Sequence, residues 1–172
     1  ISGETIDYGP CAFMNAYKPN TVFSSIDKNG RYSFGNQPKI AYWNLAILAN
    51  TLIPIISNNQ EKSIEMVTEK LNKFSTIFSN SWYNMMCKKL GIRKPIDKDR
   101  NLVDSLLKLM NNERADYTNT FAALTLNTVS NDSLFTSSKF KQWKKQWKSR
   151  IYSSNNRGDS FKLMQTQNPL VI

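Results

Sequence analysis

Apolar side chains recur every three or four residues along most of this 172-residue chain. Such spacing is typical of helices that bury one face. The clearest series begins after Glu61 and contains Ile64, Val67, Leu71, Phe74, Phe78, Trp82 and Met85. Gly91 and then Pro95 predict its end, and 79–81 (Ser-Asn-Ser) is a candidate interruption. The chain is long enough for one domain with its own core, so we predict a mainly α fold.

An earlier helix is predicted to begin at Asn36-Gln37-Pro38, since Asn is a good cap and Pro is tolerated in the first helical turn. Its apolar positions continue through the range 39–56, and Pro54 should limit its C-terminal end. Apolar residues occupy more than one stripe of this segment, which predicts a central, mostly buried helix. Its longest apolar stretch, 45–56, carries Asn50 and Thr51 and falls short of the roughly 20 residues that span a bilayer. We therefore predict no membrane-spanning helix.

Two later segments also have helical spacing. Asp97 or Asp99 is expected to cap a helix with an apolar side over 102–110. In the segment 138–151, the side chains of Phe140, Trp143, Trp147 and Ile151 share one face and four lysines lie largely on the other. A helix of this kind could bind a membrane surface or stack on nucleic acid. We favour a helix that packs its Trp face and solvates its Lys face, because stacking on nucleic acid would require aromatic and cationic groups on the same surface.

Two short regions predict β structure. Thr5 and Ile6 favour a strand, which Gly9 and Pro10 would stop. Between residues 22 and 34, Asn29-Gly30 separates two runs with strand character, and this dipeptide favours a small β-hairpin.

Asp7 is the candidate site residue of the chain. It directly follows the predicted strand and precedes the turn at Gly9. Magnesium prefers hard oxygen ligands that a rigid element holds in place, so this position suits a metal-binding carboxylate. An ordinary turn aspartate is the alternative.

Glu113 and Asp116 form a second carboxylate pair at helical spacing, with Arg114 between them. Acid–base chemistry or metal binding would be the functional interpretation. We favour an ion-pair lock between helices.

The overall charge is +10, from 23 Lys and Arg against 13 Asp and Glu. A basic chain suits an anionic partner such as a nucleotide, a nucleic acid or an acidic protein. The chain contains no His, which excludes His-dependent nucleophilic catalysis and His metal ligands within it. Its two cysteines, Cys11 and Cys87, form no CxxC pair, so a disulfide scaffold is not expected.

Four strings of the sequence resemble the selenoprotein O family of kinase-like protein adenylyltransferases. They are GETIDYGPCAFMNAY, SSIDKNGRYSFGNQPKIAYWNLAILANTL, NNERADYTNTF and MQTQNPLVI, and they occur in the family's order. In that family Asp-Tyr-Gly stands where protein kinases have Asp-Phe-Gly, and its Asp binds the metal on ATP. The resemblance therefore implies that Asp7 binds both Mg²⁺ and the nucleotide.

The resemblance implies that residues 1–172 are a single partial domain, a fragment of a protein-kinase-like C-lobe. Residues 8–35 would form a loop like a kinase activation segment. Because the chain starts at Ile1 and ends in apolar residues, we expect a piece of a longer protein. The family's catalytic base would then lie upstream of Ile1, so we predict no catalytic residue in this chain and no activity for the fragment alone.

The implied reaction is transfer of AMP from ATP to Ser, Thr or Tyr hydroxyls of protein substrates. A kinase-type phosphotransferase is one alternative, and a non-catalytic module that binds an anionic partner through its basic surface is another. We do not expect nucleic acid as a partner. The resemblance implies a cytoplasmic location in a bacterium and a mitochondrial one in a eukaryote.

Overall fold

The computed structural model describes residues 14–128, 132–153 and 157–168. Within them a 3-10 turn at Phe34–Asn36 is followed by eight α-helices. These are α1 (Gln37–Ile56), α2 (Gln60–Asn72), α3 (Phe74–Lys89), α4 (Asp97–Glu113), α5 (Tyr117–Leu126), α6 (Ser133–Thr136), α7 (Ser138–Tyr152) and α8 (Arg157–Gln167). The described ranges contain no strand, and one isolated bridge pairs Ala16 with Asp116. The prediction of a mainly α fold is confirmed, whereas the strand predicted around Thr5 and Ile6 lies outside the described residues.

The hydrophobic core lies among the later helices. Helix α4 packs against α3, α6 and α7, and α8 packs against α3, α5 and α7. Fully buried side chains include Met86, Leu90, Leu106, Met110, Phe121, Leu124, Phe140, Trp147, Ile151 and Met164. Each large apolar side chain buried in this way stabilises the fold by about 1.5–3 kcal/mol.

Helix α7 confirms the packing that we favoured for the Trp-containing segment. Phe140, Trp143, Trp147 and Ile151 are all at most 3% exposed. The indole nitrogens of Trp143 and Trp147 donate hydrogen bonds to the carbonyls of Leu102 and Leu90, both at 2.9 Å. Since both indoles are buried and hydrogen-bonded within the protein, neither is free to stack on a nucleic-acid base.

Helix α1 begins where Asn36 and Pro38 predicted, and it continues two residues beyond Pro54. The prediction of a mostly buried helix is wrong, because none of its 20 residues is buried. In the part of the chain that the structure describes, α1 packs chiefly on α2 and on the 3-10 turn. Among the described residues, one helical segment, Phe34–Ile56, is long enough and apolar enough to cross a membrane by length and composition alone, and none of its most apolar stretch is buried here. A single segment of this kind is weak evidence for a membrane span, so the absence of a membrane-spanning helix stays a prediction.

The long helical pattern after Glu61 forms two helices. The break lies at Lys73, not at Ser79–Ser81, and Lys73 keeps nearly helical dihedral angles of −78° and −16°. The predicted end at Gly91 is confirmed, since Gly91 has a φ of +74° and the amide of Ile92 donates back to the Cys87 carbonyl at 2.9 Å. Only glycine adopts that backbone conformation without steric strain.

The hairpin predicted between residues 22 and 34 is wrong. This segment forms successive turns, because the Asp27 carboxylate accepts hydrogen bonds from the backbone amides of Arg31 and Tyr32, each at 2.8 Å. These amides are therefore not available for a strand ladder. Gly30 adopts the positive φ that the Asn29-Gly30 signal predicted, but within this turn.

Candidate functional site

The loop that follows the Asp7 motif is fixed to the α4–α5 junction. The amide of Tyr17 donates to the Ala115 carbonyl at 2.8 Å, and the amide of Tyr117 donates to the Asn15 carbonyl at 2.7 Å. The ring of Tyr17 stacks on that of Tyr117, with centroids 5.8 Å apart. This short ladder holds the start of the loop against the core, although no hairpin forms.

The far end of the loop closes back on its beginning. Gly35 donates to the Pro19 carbonyl at 2.7 Å, and Phe34 donates to the Thr21 carbonyl at 3.0 Å. A Cβ on Gly35 would lie 3.2 Å from the Pro19 carbonyl oxygen, so a side chain here would crowd this closure. The loop is therefore a compact Ω-like unit whose ends meet where α1 begins.

A cleft of about 600 Å³ opens between this loop, the start of α1, α3 and α5. Its walls are mainly aromatic and apolar, and they include Tyr17, Phe34, Phe78, Trp82 and Tyr117. Lys89, from the last turn of α3, is the cationic residue in its lining. The shape and lining are those of a binding cleft with one positive charge at its edge.

Lys89 is held by neutral groups. Its ammonium donates to the Gln167 carbonyl at 3.2 Å and to the Asn168 side-chain oxygen at 3.1 Å, and it lies 5.1 Å from the centroid of the Phe121 ring. Burial lowers the pKa of Lys89. Among the residues that the structure describes, no carboxylate lies within ion-pair distance of it, so the C-terminal end of α8 is its main electrostatic partner.

A second, smaller cavity of about 440 Å³ lies between α3 and the start of α4. Arg100 lies 4.8 Å from the Tyr83 ring centroid and donates to the Asn80 side-chain oxygen at 2.7 Å. Cys87 also lines this cavity, but burial raises the pKa of its thiol to about 11. A thiol with that pKa is protonated near neutral pH and is a poor nucleophile.

Of the site residues predicted from the sequence, Asp7 lies outside the described residues, and the charged residues at 113–116 lie within them. The role of Asp7 as metal and nucleotide ligand therefore stays a prediction. Asp116 caps α5 by accepting from the Asn119 amide at 2.7 Å, and Arg114 ends α4 with a left-handed φ of 53°. The ion-pair lock that we predicted for Glu113 and Asp116 is not seen within the described ranges, where the Asp116 carboxylate serves as the cap of α5 instead.

The pairing of Asp99 with Arg150 was not predicted from the sequence. We considered Asp99 only as a helix cap. The N-cap position is occupied by Ile96, and the Asp99 carboxylate, in the first turn of α4, accepts from the Ile96 amide at 2.8 Å. Arg150 follows Trp147 by three residues and Trp143 by seven, so helical spacing places it beside the buried stripe of α7. That position could have indicated a need for a buried partner. Lys89, in contrast, had no comparable signal.

Metal or cofactor ligands are not grouped in the described part of the chain. Residues 14–128, 132–153 and 157–168 hold no cluster of three Cys, Asp or Glu side chains that could hold a metal ion.

Comparison with known proteins assigns the family. The family model described as protein adenylyltransferase SelO matches residues 1–172. Two relatives, both named protein nucleotidyltransferase YdiU, come from Clostridium botulinum (strain Alaska E43 / Type E3) and Bacillus thuringiensis subsp. konkukian (strain 97-27), and they are 49% and 48% identical to the whole chain. The chain spans only 35% and 36% of the length of these relatives, respectively. It belongs to the protein adenylyltransferase SelO family.

Proposed function

We propose that the full-length protein containing this sequence transfers AMP from ATP to Ser, Thr or Tyr hydroxyls of other proteins. The observation that carries this proposal is the family match over all 172 residues, which includes the Asp7-Tyr8-Gly9 motif. The relatives carry the name protein nucleotidyltransferase, which supports transfer of a nucleotidyl group and not of a single phosphate. These residues would form most of a kinase-like C-lobe.

In the proposed reaction, the acceptor hydroxyl oxygen attacks the α-phosphorus of ATP. The bond from that phosphorus to the bridging oxygen breaks, and pyrophosphate leaves with the bonding electron pair. The hydroxyl proton passes to a general base, which we place outside these 172 residues. Catalysis of this type depends mainly on positioning and on neutralising phosphate charge.

Asp7 is the residue that we propose to hold Mg²⁺ and, through it, the nucleotide. A bound magnesium ion would neutralise phosphate charge. The anchored loop supports this role, since the Tyr17 amide donates to Ala115 and the Asn15 carbonyl accepts from Tyr117. These two hydrogen bonds fix the chain shortly after the motif to the α4–α5 junction. A metal ligand needs such rigid support to keep its geometry.

The chain alone should be inactive. It contains no His, its Cys87 thiol is buried with a raised pKa, and the nucleotide pocket would need parts of the protein beyond these residues. Because the matched relatives are bacterial proteins, we also propose a cytoplasmic location.

The test follows radiolabel from ATP into protein, with the full-length enzyme and two variants. Asp7→Ala should abolish incorporation of α-phosphate label. Asp97→Ala is a matched control, because the Asp97 side chain is fully exposed at the start of α4, and it should leave incorporation unchanged.

Two results would contradict the proposal. Incorporation of label from the γ-phosphate alone would identify a kinase-type phosphotransferase. If neither label is transferred and ATP does not bind, the fold has lost its catalytic activity. The hypothesis of a non-catalytic module that binds an anionic partner would then replace the adenylyltransferase hypothesis.

A further inference from the structure

Helix α7 presents a row of lysines outside its buried aromatic stripe. Lys141, Lys144, Lys145 and Lys148 follow one another at spacings of three and four, which places them together on one face of the helix. We call these four residues the lysine face. Lys141 and Lys145 are exposed, and Lys144 and Lys148 are half-buried. The face extends over about 10 Å, since each residue adds about 1.5 Å to the length of a helix.

The lysine face has no ion-pair partner among the described residues. Helix α7 contains no Asp or Glu, whereas α2 and α4 carry charges of both signs. The ion pairs of the described ranges include Arg150 of α7, which contacts Asp99, but none of the lysines of α7. The positive charge of this face is therefore not neutralised by the described part of the protein.

This arrangement is unfavourable for the helix by itself. Like charges three or four residues apart on a helix repel each other. Burial and the nearby charge of Lys148 lower the pKa of Lys144, which is the expected effect of such repulsion. Lys139 adds a cation in the first turn, where the helix dipole disfavours positive charge. An anionic partner bound along α7 would relieve this repulsion.

The spacing of the lysines suits an extended acidic peptide. Lys141 and Lys145 lie about 6 Å apart along the helix axis, as do Lys144 and Lys148. In an extended chain, the side chains on one side recur about every 6.6 Å. Alternate carboxylates of an acidic segment can therefore meet two successive lysines of either row.

Nucleic acid and lipid fit this face less well. Proteins that bind single strands stack bases on exposed aromatic rings, whereas Trp143 and Trp147 are 3% and 0% exposed. A helix that reads duplex DNA lies within the major groove, but α7 is packed against α4, α6 and α8. A helix that binds a membrane surface inserts its apolar face, and the apolar face of α7 is buried in the protein.

We propose that the lysine face of α7 is a docking surface for an acidic segment of the proteins that this enzyme modifies. The proposal deepens the proposed function and rests on it for the identity of the partner as an acceptor protein. Docking itself depends on the charge and spacing of the lysines, so it can be measured without catalysis.

The first measurement is the fluorescence anisotropy of a rhodamine-labelled oligoglutamate peptide with the full-length protein. The test variant replaces Lys141, Lys145 and Lys148 by Gln, which preserves helix propensity. The control variant removes the same charge from three other helices, by replacing the exposed residues Lys39, Lys62 and Lys98 with Gln.

We expect the test variant to bind the peptide about tenfold more weakly than wild type, since each exposed lysine–carboxylate pair contributes a modest share. The control variant should bind as wild type does, and added salt should weaken all binding. A charge-reversed variant, with Glu at 141, 145 and 148, should bind an oligolysine peptide instead of oligoglutamate. Its midpoint of urea unfolding, like that of the test variant, verifies that the fold is retained.

Three results of this measurement would overturn the proposal. Wild-type protein could fail to bind oligoglutamate even at low salt, or the two Gln variants could lose equal affinity. In the third, the same lysines bind a single-stranded oligonucleotide or phosphatidylserine vesicles while the peptide does not bind, which would assign the face to nucleic acid or to a lipid surface.

The second measurement compares label transfer to a Ser-containing peptide with and without an oligoglutamate tail. The tail should lower KM, and the test variant should lose this advantage with kcat unchanged. Equal KM values for the two peptides with wild-type enzyme would overturn the role in acceptor binding. If the full-length protein transfers no label to any protein, the proposed function fails, and anisotropy still decides whether the lysine face binds an acidic segment.

Discussion

Replacing Arg150 should destabilise the protein strongly, because its partner Asp99 is buried. The Arg150 guanidinium donates to both carboxylate oxygens of Asp99, at 2.7 and 2.9 Å, and to the Lys94 carbonyl at 2.9 Å. Asp99 is 3% exposed, whereas the Arg150 side chain is 26% exposed. Arg150→Met keeps most of the apolar stem but leaves a buried carboxylate without its cation.

The magnitude follows from that burial. Removing one partner of a buried ion pair typically costs about 3–5 kcal/mol, since the remaining charge is desolvated and unpaired. Arg150 retains some contact with water, and Asp99 keeps its bond from the Ile96 amide. We therefore expect Arg150→Met to lower the free energy of unfolding by about 3 kcal/mol. Asp97→Ala is the control, since its contact with Arg100 is 3.9 Å long and its carboxylate is fully exposed, and it should leave the free energy of unfolding unchanged within error.

The assay is urea unfolding followed by tryptophan fluorescence; two of the four tryptophans, Trp143 and Trp147, lie on the same helix as Arg150. A double-mutant cycle with Asp99→Ala separates the pair from its surroundings. If the pair acts as described, the double variant should lose clearly less stability than the two single variants lose together. A cost below about 1 kcal/mol for Arg150→Met, or strict additivity in the cycle, would refute the reasoning.

Two further predictions concern the end of α3 and the aromatic cleft. Gly91→Ala should lower the free energy of unfolding by about 2 kcal/mol or more. The backbone φ at Gly91 is +74°, and the new Cβ would lie 2.9 Å from the Ser160 carbonyl oxygen. A chemical denaturation midpoint within error of wild type would contradict this prediction. Burial raises the pKa of Tyr117 to about 12 from an unfolded value of 10.0, so the folded state holds a proton that the unfolded state loses. Its contribution to stability is therefore complete below pH 10 and is lost as the pH rises towards 12. Between pH 10 and 12, Tyr117→Phe should therefore lose less stability than the wild-type protein, and its tyrosinate absorbance titration should lack one group of high pKa. Identical stability and titration profiles for the two proteins would count against this assignment.

Several structural features were predictable because their causes are local. The end of α3 depends on Gly91, which can adopt a positive φ. The buried stripe of α7 follows from the spacing of Phe140, Trp143 and Trp147 on a 3.6-residue repeat. The start of α1 follows from Asn36 and Pro38.

Other features failed because their causes lie elsewhere in the chain or in a competing side chain. Asn29-Gly30 favours a tight turn in isolation, but the Asp27 carboxylate takes the amides that a hairpin needs. The break at Lys73 has no Gly or Pro signal, and it lies where α2 turns towards α1 while α3 packs on α4 and α8. Local preference could not choose between a continuous helix and a broken one.

The helical class, the polar and apolar faces of the helices and the family follow from the sequence alone, because periodicity and motif order depend on neighbours along the chain. Long-range packing sets the pairing of Asp99 with Arg150, 51 residues apart, and the location of Lys89 beside the aromatic cleft. It also decided that α1 stays exposed within these residues. Periodicity shows which face of a helix requires cover, but only long-range packing shows whether a partner is present to supply it.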